Sequence, residues 1–329
     1  MSKKTPSTSI KLALAAAMAG LALGAQAATL ELQLGHTQPV NSPYDLTSHK
    51  FAEIVAQKSN GDIKVNVFPQ SQLGGEVKMI QAARLGSLDM VITAQAVLGP
   101  TIKEYMIFDT PYLFDDIEQA NKVLAGPVGR KYLDMLPKYG LVGLDFLYAI
   151  ERDIASTKPI KNAKDFEGLK LRVMQAPGYV KTYEMLGSQP TPMAYNEVYL
   201  AMQQGVVDGG DFSPESVTLD KFTEVADYFN LTKTQYLPAL LVYSKKKWDA
   251  LPPETQKLLQ DASAETMTHA AGFYKQTYDQ AMAELKQSGM TIIDSDRADI
   301  KKAVVDVKTE LFKSIPDGQK LYDEIQAAK

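Results

Sequence analysis

Residues 169–214, LKLRVMQAPGYVKTYEMLGSQPTPMAYNEVYLAMQQGVVDGGDFSP, constrain the chain most tightly, because a cation, Arg172, stands inside a short apolar run. The run Lys170-Leu171-Arg172-Val173-Met174 ends at Ala176-Pro177-Gly178, a composition that fits a buried strand closed by a turn. Residues 179–186 then have helical spacing, with Tyr179, Tyr183 and Leu186 on one face, until Pro190-Thr191-Pro192 breaks the pattern. A second helix is read over 196–204, with Val198, Ala201 and Met202 at core spacing and Gly205 ending it. Val206-Val207 steps into Asp208-Gly209-Gly210-Asp211, which reads as a turn. The unit is strand, helix, helix, strand, and its ends can face one cleft.

A buried unpaired charge costs several kcal/mol, roughly, so Arg172 needs a partner. The residue type narrows the partner. Cations in this chain are almost all lysine; arginine stands only at Arg84, Arg130, Arg152, Arg172 and Arg297. Lysine suffices for solvated charge, whereas the planar guanidinium fork grips a carboxylate with two parallel hydrogen bonds. Arg172 is therefore the candidate anion grip, and an internal salt bridge to an Asp or Glu is its rival use.

GLKLRV at 168–173, PTPMAYNEVYLAMQQGVVDG at 190–209, FPQSQLGG at 68–75 and FDTPYLF at 108–114 resemble the extracytoplasmic solute-binding proteins of TRAP transporters. The similarity runs in the same order from about residue 28 to the C-terminus. The resemblance implies an α/β, two-lobed binding protein with a hinge, a mainly parallel sheet in each lobe and a long helix spanning both lobes. It further implies that Arg172 binds the ligand carboxylate, that Arg152 meets the same or a second anionic group, and that Tyr195 closes over the ligand. At 210–213 the chain departs from the family: many relatives have E-N-P, with the asparagine on the carboxylate, where this chain has Asp211-Phe212-Ser213. An acid followed by an aromatic resembles some keto-acid binders, so Asp211 and Phe212 join the candidate ligand residues and Phe212 implies one apolar wall. Glu151 and Asp153 flank Arg152 and supply a rival local pairing for it.

The chain opens with Lys3, Lys4 and Lys11, an apolar segment over 12–23 and Ala25-Gln26-Ala27. That order is a secretory signal peptide over 1–27 with cleavage after Ala27, and the apolar segment is too short to span a bilayer. Cysteine is absent, which removes disulfides, thiolate metal sites, a Cys nucleophile and a lipidated N-terminal Cys. A freely diffusing periplasmic protein is expected, monomeric by default, with about 300 mature residues in two domains. The formal charge of −4 argues against a nucleic-acid partner, so any anion site is local.

Along the rest of the chain, strands are read over 29–36, 63–68 and 88–93, alternating with helices over 43–58 and 77–85. This alternation describes a mostly parallel sheet, whose ligands sit beyond the carboxyl ends of the strands. His36, Thr37 and Gln95 fall there, at a cleft mouth. The aromatic 108–114 segment reads as packing. Helices over 117–124 and 129–136 lead to a strand over 141–148, after which the chain should enter its second domain. A helical segment over 222–229, a strand over 237–244, a long helix over 254–288, a short strand over 291–293 and a helix over 296–314 complete the pattern. The lobes expected are 28–150 plus about 237–280, and 151–236 plus about 281–329.

Catalytic groupings are not found. His36, His49 and His269 are scattered, so no zinc or other metal site is suggested, and no nucleophile elbow, dinucleotide fingerprint or P-loop occurs, so no cofactor is implied. A binding module needs only a cleft, an anchoring charge and a hinge. The chain is thus read as the periplasmic binding protein of a TRAP transporter rather than an enzyme. It would deliver a small organic acid (keto or hydroxy acid, sugar acid, dicarboxylate or aromatic acid) to the membrane permease. A ligand-sensing protein on the same fold is the alternative, ahead of an enzyme.

Overall fold

The computed structural model describes residues 30–329; the leader and the Ala27 cleavage point lie outside them. Its strands are β1 (Leu30–Gly35), β2 (Ile63–Phe68), β3 (Met90–Ala94), β4 (Leu141–Phe146), β5 (Ile150–Ser156), β6 (Lys170–Val173), β7 (Gln189–Pro192), β8 (Gly209–Phe212), β9 (Tyr228–Leu237), β10 (Ala239–Ser244) and β11 (Thr291–Ile293). They form one sheet in the order β2-β1-β3-β10-β4 and another in the order β11-β9-β5-β8-β6-β7, each the floor of a lobe. Each sheet is mainly parallel with one strand reversed: β10 is antiparallel to β3 and β4, and β5 is antiparallel to β8 and β9.

Both reversals have one cause. The chain crosses between the sheets along two nearly continuous strands, β4 into β5 and β9 into β10. The crossings are zipped together: Leu147 N donates to Ala239 O at 2.8 Å, between the pairs Phe146↔Leu240 and Ile150↔Leu237. Two strands side by side form a narrow ribbon, the natural place for bending.

A 35-residue helix, Pro253–Gln287, is the second connection. Its buried residues Leu259, Ala262, Thr266, Ala270, Tyr274, Ala281 and Leu285 follow helical spacing. That stripe packs on the helix Pro43–Lys58 of the first lobe and on Pro214–Leu219 of the second. Its Ala and Thr positions permit close approach.

Several elements escape the sequence pattern. β7 contains the Pro190-Thr191-Pro192 break, and it lies at the edge of its sheet, where missing N–H groups cost nothing in the ladder. The Gly209-Gly210 turn is the start of β8, a central strand; a Cβ on Gly209 would stand 2.4 Å from Ala155 O of β5, so tight strand approach demands glycine there. The helix expected over 222–229 is a short 3₁₀ turn, Phe222–Glu224, followed by β9. The C-terminal helix expected over 296–314 is divided into Arg297–Ala303 and Val307–Phe312, with a further helix, Gly318–Ala328.

The aromatic segment holds the lobes together. Phe108 packs against Tyr132 with ring centroids 4.6 Å apart, and Tyr112 N donates to Thr234 O of β9 at 2.8 Å. Asp109 accepts from Gln95 Nε2 at 3.0 Å and from Gly178 N, in the first turn of the helix Pro177–Met185, at 3.3 Å. A Cβ on Gly178 would lie 2.2 Å from the Asp109 Cβ. Gly178→Ala should therefore cost about 1–3 kcal/mol by overpacking, read as a lower urea midpoint at unchanged slope.

Candidate functional site

Three adjacent strands, β5, β8 and β6, bring Arg152, Asp211 and Arg172 together. All three side chains are at least 95 % buried. Arg152 donates Nε and Nη2 to Asp211 Oδ2 at 3.0 and 2.9 Å, and Nη2 also reaches the Asp211 carbonyl at 2.6 Å. Arg172 donates Nη1 to Asp211 Oδ1 at 3.2 Å, while its Nε and Nη2 point to the Met193 carbonyl at 3.2 and 3.1 Å. Asp211 is thus an internal partner of both arginines. The rival use foreseen for Arg172 is partly realised, since an acid of its own chain takes one of its nitrogens.

The acids next to Arg152 in sequence do not satisfy it. Glu151 Oε2 lies 3.1 Å from Lys233 Nζ, and Asp153 Oδ1 accepts from Lys233 N at 3.0 Å. Strand alternation explains this, because successive side chains leave opposite faces.

One carboxylate cannot neutralise two guanidinium groups. The other nearby acids are Glu76 and Glu215, and burial pushes both toward their neutral forms. Glu76 rises to about 7 despite a 3.1 Å bond from Ala94 N and the two arginines, and Glu215 rises despite its contact with Ser213. Among the described residues Asp211 is the one carboxylate paired with either arginine, and Arg172 holds it by the longer contact, 3.2 Å against 2.9 Å. Burial, with Arg152 alongside, lowers the Arg172 pKa against the pull of Asp211; for Arg152, burial is outweighed by Asp211, which raises it.

Arg172 opens on a small cavity between the lobes, shared with Thr37, Glu76 and Val97 on one side and Met193 and Tyr195 on the other. The cavity offers about 10 Å³, room for one water. An acid of several carbons enters only if the lobes part. Thr37 and Tyr195 also border an outer chamber of about 230 Å³. Tyr195 donates its hydroxyl to Asp220.

Five of the eight candidate residues line neither space: Arg152 and Asp211, locked in their ion pair, and His36, Gln95 and Phe212. His36 is fully buried with its Nε2 3.4 Å from Asp45 Oδ1. Gln95, also fully buried, is spent on Asp109. Phe212 lines neither chamber; it is fully buried with its ring 4.3 Å from Phe222, so the apolar wall expected of it is supplied by Phe222. The physical reason is Gly210, whose missing side chain leaves room for the Phe212 ring, 3.1 Å from where a Cβ would stand.

Sequence reasoning missed Glu76, Asp220 and the Met193 carbonyl. Glu76 had a signal, since it follows Gly74-Gly75 at a helix entry beyond a strand end. Asp220 and Met193 had none, because their roles come from a turn and a backbone atom placed by folding.

Two lobes joined by a ribbon, with a buried arginine, Arg172, bordering the space between them, fit a solute-binding protein. The family described as bacterial extracellular solute-binding protein, family 7, matches residues 34–315, and the chain belongs to it. The C4-dicarboxylate-binding periplasmic protein DctP of Rhodobacter capsulatus is 30% identical over 290 residues, 88% of this chain and 87% of its own. The 2,3-diketo-L-gulonate-binding periplasmic protein YiaO of Escherichia coli is 29% identical over 308 residues, 91% of this chain and 93% of its own. Among solved structures, the sugar acid binding protein DctPAm from Advenella mimigardefordensis, in complex with galactonate, superposes with TM-score 0.88 at 28% identity, covering 92% of this chain and 99% of that one. A TRAP periplasmic solute binding protein from a Polaromonas species, bound to D-erythronate, gives 0.87 at 32% identity, covering 91% and 99%. The chain is thus a TRAP-type solute-binding protein, a component of transport.

Two outcomes follow from the charge cluster. Asp211→Ala leaves Arg152 buried and uncompensated, and should cost about 3–5 kcal/mol in urea denaturation. Between about 4.5 and about 7 the folded chain keeps a proton on Glu76 that the unfolded chain releases, so this group's contribution to stability is lost as pH rises through that window. Urea curves at pH 5 and pH 8 should show a larger fall for the native protein than for Glu76→Gln.

Proposed function

We propose that the chain is a periplasmic receptor that captures a small organic acid by its carboxylate on Arg172 and hands it to a TRAP permease. The supporting observation is that two buried guanidinium groups share a single internal carboxylate, which leaves one cation facing the interlobe space. A ligand carboxylate supplies the missing anion. Arg152, held rigidly by Asp211, acts mainly as the electrostatic neighbour, and Thr37, Glu76 and Tyr195 surround the ligand. The named ligands of the relatives, a C4-dicarboxylate, diketogulonate, galactonate and erythronate, have a carboxylate in common.

The mechanism is closure. In the open form Arg172 is wet and its pull on an anion is screened; as the lobes shut, water leaves and the ion pair strengthens. The closed form is selected because it binds the acid better than the open form. In this reading 28–150 and about 237–280 form one lobe, 151–236 and about 281–329 the other, the leader over 1–27 directs export, and the protein works as a monomer.

A thermal-shift screen of carboxylic acids identifies the ligand: at 100 times its Kd a ligand adds roughly 2.7 kcal/mol of stability. Arg172→Ala should weaken that acid by about 2–5 kcal/mol, thirtyfold or more in Kd by calorimetry. Arg172→Lys should recover little, for want of the fork. Unchanged affinity in Arg172→Ala would remove the anchor from this account.

A further inference from the structure

The outer chamber differs in charge from the inner cavity. Arg172 and Glu76 face the inner cavity, whereas the residues around the outer chamber include no Lys, Arg or His and a single carboxylate, Asp220. Thr37 and Tyr195 border both spaces. Tyr195, whose hydroxyl donates to Asp220, therefore stands between the Arg172 cavity and Asp220. Only Oδ2 of Asp220 is engaged, by the Tyr195 hydroxyl; among the described residues no donor reaches Oδ1. The remaining polar groups around it are neutral: Thr37, Asn196, Gln70, Tyr199, whose hydroxyl donates to Glu224, and the Ser71 hydroxyl, which is buried without a partner. Gln70 and Ser71 sit at φ 51° and 58°, a left-handed turn that sets this loop at the chamber wall.

Resting on the carboxylate reading above, we propose that Asp220 selects the far end of the ligand, accepting hydrogen bonds from hydroxyl groups and rejecting a second carboxylate. The preferred substrate is a polyhydroxy monocarboxylic acid rather than a C4 dicarboxylate. Hydroxyls donate to Asp220 Oδ1 and to the amide oxygens of Asn196 and Gln70. A second carboxylate meets a like charge with no cation to offset it, and a site with unpaired polar groups discriminates more strongly than an apolar one.

The test is calorimetry on the mature protein with D-galactonate and succinate as probes, for wild type, Asp220→Asn and Arg172→Ala. Wild type should bind galactonate at least tenfold more tightly than succinate. Asp220→Asn should shrink that ratio at least threefold, chiefly by tightening succinate; a merely structural role would weaken both acids alike and leave the ratio unchanged. Equal affinities in wild type, or a ratio indifferent to Asp220→Asn while Arg172→Ala still abolishes binding, would overturn the selection by Asp220 and leave the carboxylate reading standing. No heat with galactonate at millimolar concentration would overturn the selection by Asp220, and the wider screen of carboxylic acids then decides the carboxylate reading by itself.

Discussion

Asp211 between Arg152 and Arg172 is the interaction on which the site depends. Three charges are held out of water on neighbouring strands of one sheet. Desolvating them is costly, and the attraction within one carboxylate and two guanidinium groups offsets the penalty only in part. What remains is a deficit of one anion. In the proposed function the incoming acid completes a structure that already exists and loses little to reorganisation. The same arrangement explains why Arg172 reaches Asp211 through one nitrogen only, whereas Arg152 chelates it.

Closure needs a hinge that bends without losing the register of either sheet. The β4–β5 and β9–β10 crossings meet this need, since both cross side by side and the reversed strand in each sheet is the crossing strand itself. The long helix bridges the lobes from one side. On another, Asp109 accepts bonds from Gln95 and from Gly178, so that the loop carrying Met174 and Gln175 beyond β6 is seated against the first lobe. Burial raises the Asp109 carboxyl to about 7, so this contact is bought against the solvation of its charge.

Much of the framework was legible because it rests on local periodicity. β2 and β11 fall where alternation put them, and the long helix differs by one residue at each end from the pattern. Arg172 was legible for a different reason: guanidinium groups are scarce in a lysine-rich chain, and this one stood in an apolar run, whereas Arg152 was singled out by the resemblance. β7 and β8 were hidden, since a proline-rich strand and a glycine-rich strand violate propensity and exist only through their neighbours. His36 and Gln95 were read at the cleft mouth from their strand ends and Phe212 from the resemblance; all three side chains are buried, because packing decides whether such a residue points into the cleft or away from it.

By itself the amino-acid sequence determined the family, the alternation of elements and one arginine, Arg172, suited to an acid, since these depend on residue type, near-neighbour spacing and motifs in register. Only the tertiary structure decided which acid of the chain meets Arg172 and Arg152. Asp211 lies 59 residues from Arg152 and 39 from Arg172, whereas Glu151 and Asp153 are adjacent. The nearer acids lost because strand geometry turns alternate side chains to opposite faces, and the distant one prevailed because β8 is threaded between β5 and β6.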